Sequence, residues 1–98
     1  MKYPQTVKAL VGRICQSYPA TQNQLEESSV DDFRKGIFKP HFLPAYLLWM
    51  LQELETFEDR EKAARWLGWV MGKLDSIPVL NVVTLQENRD LIRADKES

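Results

Sequence analysis

The sequence is poor in the residues that most often carry catalytic or metal chemistry. Its 98 residues include one cysteine, Cys15, and one histidine, His41. A single cysteine excludes a disulfide within the chain and suits a reducing compartment. Because His41 has no second histidine or cysteine near it in the sequence, it does not form a zinc ligand set. We therefore predict neither a metal nor a cofactor.

The sequence also lacks an excess of one charge and a long hydrophobic run. Its 13 basic and 14 acidic side chains give a net charge of −1, whereas proteins that bind duplex nucleic acid usually carry a basic field. The longest apolar run, residues 42–51, is shorter than the roughly 20 residues that span a bilayer. The N-terminal residues do not have the layout of a signal peptide. We expect a cytoplasmic protein with no membrane partner.

The composition that remains is typical of a small globular protein. Hydrophobic residues make up 44% and charged residues 28% of the chain, which argues against disorder. Apolar residues recur every three or four positions in most segments, the spacing of an amphipathic helix. The length suits one domain, residues 1–98. We predict an all-α fold, a small helical bundle of about four to five helices around a central αα-hairpin.

The first 40 residues predict two helices separated by a loop. Pro4 is a favourable first-turn residue, and the apolar pattern that follows continues to about Tyr18. Residues 19–28 are polar and predict a loop. Ser29 can cap a short helix that ends near Gly36. The side chains expected on the buried side of this helix are Val30, Phe33 and Ile37.

The next segment, residues 43–51, is apolar on every side. Pro44 is again a suitable helix start, and it argues against a strand. A helix that is apolar all round is buried all round. In a chain this short, one side of the helix could instead be covered by a second copy or by another protein. This excess of apolar surface is one reason to expect a binding partner.

A very short turn follows and leads to the next helix. Thr56 and Asp59 have the spacing of a capping box, and Phe57 can pack over the turn. Short connections join antiparallel neighbours. We expect the two helices on either side of this turn to form the central hairpin.

The helix over residues 63–74 carries two different stripes. One is apolar and consists of Ala63, Leu67, Val70 and Leu74. The other, Ala64, Gly68 and Gly72, is smooth. Each glycine inside a helix costs about 1 kcal/mol relative to alanine, so two of them suggest that another backbone or ring approaches closely. Trp66 and Trp69 flank the apolar stripe, with Arg65 and Lys73 close to them in sequence, which predicts an aromatic and basic edge.

The last third of the chain predicts an apolar connector and a final helix. Residues 75–83 are rich in branched apolar side chains, as in a buried extended segment. Thr84 and Glu87 form a second capping box. The helix that they open has a weak apolar face, made of Leu85, Leu91 and Ile92. Residues 95–98 are expected to fray.

Two short motifs resemble a group of small uncharacterised phage and bacterial proteins. Residues 65–70 read Arg-Trp-Leu-Gly-Trp-Val and are followed by Gly72 and Leu74. In that group, an Arg-Trp-Leu-Gly-aromatic run precedes a second glycine and a leucine, and a Thr-hydrophobic-x-Glu segment with a nearby arginine comes later. The residues that match this second motif are Thr84, Leu85, Glu87 and Arg89. The connector differs, because the group more often has a glycine-containing turn. The resemblance implies a phage or mobile-element setting, in which small proteins often bind host proteins.

The remaining polar residues do not form a recognisable catalytic motif. His41 lacks an evident nucleophile, and Cys15 is typical of an inert, half-buried thiol. The acidic residues around the hairpin turn lack calcium-loop spacing and suit a solvated helix N-terminus. These residues are Glu53, Glu55, Glu58, Asp59 and Glu61. We therefore predict that the protein is not an enzyme.

The hypothesis that follows is a protein-interaction module. We expect an adaptor or inhibitor that binds a host protein, a second copy of itself, or both. Tryptophan and arginine are enriched at binding hot spots. The residues predicted to bind a partner are Trp49, Arg65, Trp66, Gly68, Trp69 and Gly72. The alternative is a nucleic-acid-binding accessory protein that uses the same basic and aromatic edge to stack single-stranded bases.

Overall fold

A computed structural model describes residues 3–75 and 82–97 of the chain. These residues form six α-helices and no β-strand. The helices are α1 (Pro4–Ser17), α2 (Thr21–Glu27), α3 (Val30–Arg34), α4 (Leu43–Leu54), α5 (Arg60–Asp75) and α6 (Leu85–Glu97), and a 3-10 turn (Pro40–Phe42) leads into α4. The predicted all-α class is confirmed. None of these helices is long and apolar enough to cross a membrane.

Helix α4 lies at the centre of the bundle. It packs against α1, α2 and α5, and eight of its twelve residues are buried, among them Leu47, Leu48 and Leu51. The prediction of a helix buried all round is therefore confirmed. Other helices of the same chain provide the cover, so the apolar surface of α4 does not require a second copy or a partner.

Helices α1 and α6 pack against each other and close one side of the bundle. Leu10 and Ile14 of α1 are fully buried, as its apolar pattern predicts. The expected fraying of residues 95–98 is wrong for Asp95. Its carboxylate accepts hydrogen bonds from the backbone N–H groups of Gln5 (2.9 Å) and Thr6 (2.8 Å), and from the Thr6 hydroxyl. These N–H groups have no partner within α1, so Asp95 caps α1 from a distant part of the chain.

The loop predicted over residues 19–28 is wrong, because most of this stretch forms α2. The segment has almost no apolar periodicity, yet Thr21 is buried and its hydroxyl donates to the Tyr18 carbonyl oxygen at 2.6 Å. Leu25 packs against the core from the same helix. Contact with α4 therefore stabilises a helix that its own pattern does not reveal.

Helix α3 begins as predicted but buries less than predicted. The Ser29 hydroxyl accepts from the N–H of Asp32 at 3.3 Å, and Gly36 follows the helix with a φ of 73°. Phe33 is buried, whereas Val30 is 47% exposed and Ile37 is 59% exposed. The predicted burial of Val30 and Ile37 is thus wrong, since a five-residue helix turns only one side towards the core.

The central hairpin of α4 and α5 is present, but its turn is built differently from the prediction. Asp59 caps α5 directly, since its Oδ1 accepts from the N–H groups of Glu61 (2.9 Å) and Lys62 (3.3 Å). The Thr56 hydroxyl instead donates back to the Glu53 carbonyl oxygen at 2.7 Å. Thr56 therefore belongs to the end of α4, and the predicted capping box between Thr56 and Asp59 is wrong.

The connector between α5 and α6 is described only in part, because residues 76–81 lie outside the described residues. Val82 and Val83 are buried, and the Val82 N–H donates to the Leu74 carbonyl oxygen at 2.6 Å. The predicted capping box of α6 is confirmed. The N–H of Glu87 donates to Thr84 Oγ1 at 3.1 Å, and the N–H of Thr84 donates to Glu87 Oε1 at 3.4 Å.

Candidate functional site

Aromatic side chains from α3, α4, α5 and the connections between these helices form one continuous cluster. Phe38 stacks on Tyr46 with ring centroids 4.3 Å apart, and Trp69 meets the same tyrosine edge-on at 6.0 Å. Trp49 links Tyr46, at 5.8 Å, to Trp66, at 5.7 Å. We call this set the aromatic cluster; its members are Phe33, Phe38, Tyr46, Trp49, Phe57, Trp66 and Trp69.

The three tryptophans of the cluster differ in exposure. Trp49 is buried, so it supports the cluster from the core side. Trp66 is half-buried and meets Phe57 edge-on at 4.6 Å. Trp69 is 42% exposed. Among the partner-binding residues predicted from sequence, the cluster therefore unites all three tryptophans, and Trp69 is the one that solvent reaches most.

Basic side chains lie over the rings of the cluster. The ammonium of Lys62 is 4.5 Å from the Phe57 ring centroid and 5.9 Å from that of Trp66, and the ammonium of Lys73 is 5.3 Å from that of Trp69. Arg65 is exposed on the same helix. None of these three cations forms an ion pair with a carboxylate of the described residues. Their charges are thus available to an anionic ligand.

Burial affects a titratable group inside the cluster. Tyr46 is partly buried beneath Phe38 and Trp69, and desolvation raises the pKa of its hydroxyl. A tyrosine phenol is neutral at physiological pH even without this shift, so it can act as a hydrogen-bond donor there. Tyr46 was not among the residues predicted to bind a partner, although it lies in the same apolar run as Trp49, which was.

The two glycines of α5 lie apart from the cluster and are open to solvent. A Cβ added at Gly68 or Gly72 would meet nothing within 4 Å apart from nearby residues of the helix itself. The close approach expected at this stripe is therefore wrong within the single chain. Both glycines instead line a groove of about 260 Å³ between α5 and α6, together with Met71, Asp75, Leu85, Asn88, Arg89 and Ile92. We call this feature the α5–α6 groove.

One wall of the α5–α6 groove contains a buried polar group without a partner. Asn88 is only 3% exposed, and neither its side-chain oxygen nor its side-chain nitrogen has a hydrogen-bond partner among the described residues. Leaving such a group unpaired costs about 1–3 kcal/mol. Asp75 and Arg89 line the same groove with opposite charges, and neither forms an ion pair within the described part of the chain. Sequence reasoning missed Asn88, because one asparagine on a polar helix gives no signal.

The residues considered for chemistry lie apart from one another. His41 is exposed and meets the Phe42 ring edge-on at 4.7 Å, whereas Cys15 is a half-buried free thiol on α1. Among the described residues, no group of three or more histidine, cysteine, aspartate or glutamate side chains is placed to hold a metal ion.

Comparison with known proteins found no matching family model, no matching curated protein and no matching solved structure.

Proposed function

We propose that this protein is a protein-interaction module that binds an acidic and apolar segment of another protein through its aromatic cluster. The exposure of Trp69 at the surface of the aromatic cluster is the observation that carries this proposal. An indole at 42% exposure, supported from beneath by Tyr46, is a rigid anchor that loses little side-chain entropy on binding.

The charge around the cluster favours an acidic partner. Lys62, Arg65 and Lys73 all come from α5 and have no ion pair with the described residues. A carboxylate brought beside them would meet cations that no carboxylate of the described residues neutralises. The apolar rings would meanwhile bury the hydrophobic side chains of the same segment. The role of adaptor or inhibitor of a host protein belongs to this proposal.

Selection of displayed peptides tests the proposal and does not require that the partner be identified first. A library of random 12-residue peptides would be selected against the wild-type protein alone, and the affinity of the enriched peptides would then be measured for the wild type and for Trp69→Ala. We expect the enriched peptides to combine Asp or Glu with large apolar residues. Their affinity should fall about tenfold or more in Trp69→Ala, because the loss of a hot-spot tryptophan typically exceeds 1–2 kcal/mol.

Matched variants separate the cluster from the rest of the surface. Val30→Ser removes an exposed apolar side chain outside the cluster, and it should leave peptide affinity unchanged. Lys62→Glu with Lys73→Glu should weaken binding, whereas Lys96→Glu, at an exposed position of α6, should not. Enrichment of peptides that bind Trp69→Ala equally well would refute the proposal.

A nucleic-acid assay supplies the competing outcome. Fluorescence anisotropy with an oligothymidine of 20 nucleotides at low salt would detect base stacking on the cluster. We expect no binding, because exposed acids such as Glu58 and Glu61 lie near the same end of α5. Salt-dependent binding that is lost in Trp69→Ala would replace the protein-binding proposal with the nucleic-acid one.

A further inference from the structure

We propose that the α5–α6 groove is the interface of a two-fold symmetric homodimer. This inference is independent of the aromatic cluster, because no member of that cluster lines the groove. It begins from the two glycines of α5, which remain open to solvent within one chain. Asn88 supplies the second observation, as a buried polar side chain in the wall of the same groove that has no hydrogen-bond partner among the described residues.

The groove carries features that complement each other, which favours a second copy as its occupant. Leu85 protrudes from its edge with 53% exposure, whereas Gly68 and Gly72 leave a smooth surface on α5. In a two-fold symmetric interface, each contact between a residue of one copy and a different residue of the other is formed twice, once in each direction. Leu85 of each copy would therefore pack onto the glycine surface of the other, and both exposed apolar areas would be buried.

The charges of the groove are self-complementary in the same way. Asp75 on α5 and Arg89 on α6 line it without an ion pair in the described part of one chain. A two-fold axis through the groove sets Asp75 against Arg89 of the partner subunit and generates two equivalent ion pairs. A small ligand or an unrelated peptide would need to carry both charges at matching positions, whereas a second copy supplies them automatically.

Asn88 gains from the same arrangement. Its carboxamide both donates and accepts hydrogen bonds, and because both polar atoms are buried in the wall of the groove, a rotation of the side chain on association would bring them to polar groups of the second copy. The dimer would bring polar side chains from two copies into a space that excludes water. The cost of the unpaired amide within one chain would then be offset on association.

Substitution of a groove glycine tests the proposal, because it should affect the stability of the monomer and the affinity of the dimer in opposite directions. Since a Cβ at Gly68 has open space within the chain, Gly68→Leu should keep or raise the thermal midpoint of the monomer. The larger side chain would block the glycine surface, and we expect it to weaken the dimer about tenfold or more. Sedimentation equilibrium of the full chain at concentrations up to about 1 mM would measure the dissociation constant.

Gly12→Leu is the matched control. Gly12 is also an exposed helix-interior glycine with nothing within 4 Å of an added Cβ, but it lines a separate cavity of about 800 Å³ between α1 and α6. We expect this variant to dimerise like the wild type. A wild-type protein that stays monomeric at about 1 mM would overturn the proposal, as would a dimer that Gly12→Leu disrupts and Gly68→Leu does not.

Charge reversal identifies the pairing directly. Asp75→Arg and Arg89→Asp should each weaken the homodimer, because each places like charges together. Mixing the two single variants should restore association as a heterodimer, since both ion pairs then form with reversed polarity on one side only. The double variant Asp75→Arg with Arg89→Asp should also dimerise. Failure of the mixture to associate, with both proteins folded by circular dichroism, would refute the pairing of Asp75 with Arg89 of the partner subunit.

Discussion

Helices α4 and α6 hold their places in the bundle by different means. Helix α4 is almost wholly apolar and is buried by α1, α2 and α5. Helix α6 is mostly polar, and its sole buried residue is Asn88. Leu91 and Ile92 are only half-buried against the core, and polar contacts with α1 also attach α6, namely an ion pair of 2.8 Å between Arg13 and Glu87 and the cap that Asp95 places on α1.

This contrast separates the part of the protein that determines the fold from the part available for binding. Apolar burial in α4 contributes most of the stabilisation and leaves little surface for a partner. The polar attachment of α6 leaves grooves on both of its sides, one towards α1 and one towards α5. Substitutions in α4 should therefore affect the fold, whereas substitutions in α6 should affect how the helix is attached and what it binds.

The largest expected effect comes from truncating the core of α4. Leu51 is fully buried, so Leu51→Ala removes buried methyl groups and leaves a cavity, at a cost of about 2–5 kcal/mol in the free energy of unfolding. Urea denaturation followed by circular dichroism measures the change. Leu85→Ala on α6, where the leucine is 53% exposed, should cost no more than about 0.5 kcal/mol. Equal losses in the two variants would remove the contrast between the helices.

The next effect tests the polar attachment of α6. Asp95→Ala removes the acceptor that caps the first turn of α1, and we expect a loss of about 1–2 kcal/mol. Hydrogen exchange should show faster exchange at the amides of Gln5 and Thr6 and along α6. Asp90→Ala is the control, since within the described part of the chain Asp90 accepts a hydrogen bond from the exposed Gln86 side chain of the same helix alone, at 3.0 Å. An Asp95→Ala protein as stable as Asp90→Ala would show that the cap contributes nothing.

The same contrast explains how far the sequence predicts the fold. Apolar periodicity predicts α1, α4 and α5 because burial of an apolar stripe is what holds them. It fails at residues 19–28, where α2 is stabilised through Thr21 and Leu25 by contact with the rest of the bundle. It fails again at Asp95, because a cap between residues about 90 positions apart leaves no local pattern.

The residues of the two candidate sites also differ in how well the sequence predicts them. The tryptophans of α5 are visible in the sequence as an aromatic edge, and the structure places them in one cluster with Trp49. The glycine stripe is visible too, but its surroundings depend on where α6 lies. Asn88 carries no signal at all, since its burial arises from the tertiary packing of an otherwise polar helix. Helical periodicity thus predicts which residues share a face of one helix, and it does not predict which residues of a second helix lie against that face.

A smaller effect is expected from Asn88. Replacing the amide with a side chain of similar shape in Asn88→Leu should raise the free energy of unfolding of the monomer by about 1 kcal/mol, because the two unsatisfied polar atoms of Asn88 are then removed from the buried site. Asn23→Leu, at an exposed position of α2, should change stability by no more than about 0.5 kcal/mol. Measurement at low micromolar concentration keeps association out of the comparison. A loss of stability in Asn88→Leu would show that the amide has a structural role within one chain.

The smallest expected effect is a pH dependence of stability that comes from Glu55, the residue that follows the buried helix α4. Burial raises the pKa of Glu55 above its ordinary value of 4.5, and the charge of Asp95 adds to the shift. The folded state therefore binds a proton more tightly than the unfolded state does, so the free energy of unfolding should fall as the pH rises from 4.5 through the raised pKa. Glu55→Gln should remove this decline and leave the protein slightly more stable at neutral pH. Urea titrations across that range, with Glu58→Gln at an exposed position as the control, would measure it. If the free energy of unfolding still falls over this pH range in Glu55→Gln, the pH dependence belongs to other carboxylates and not to Glu55.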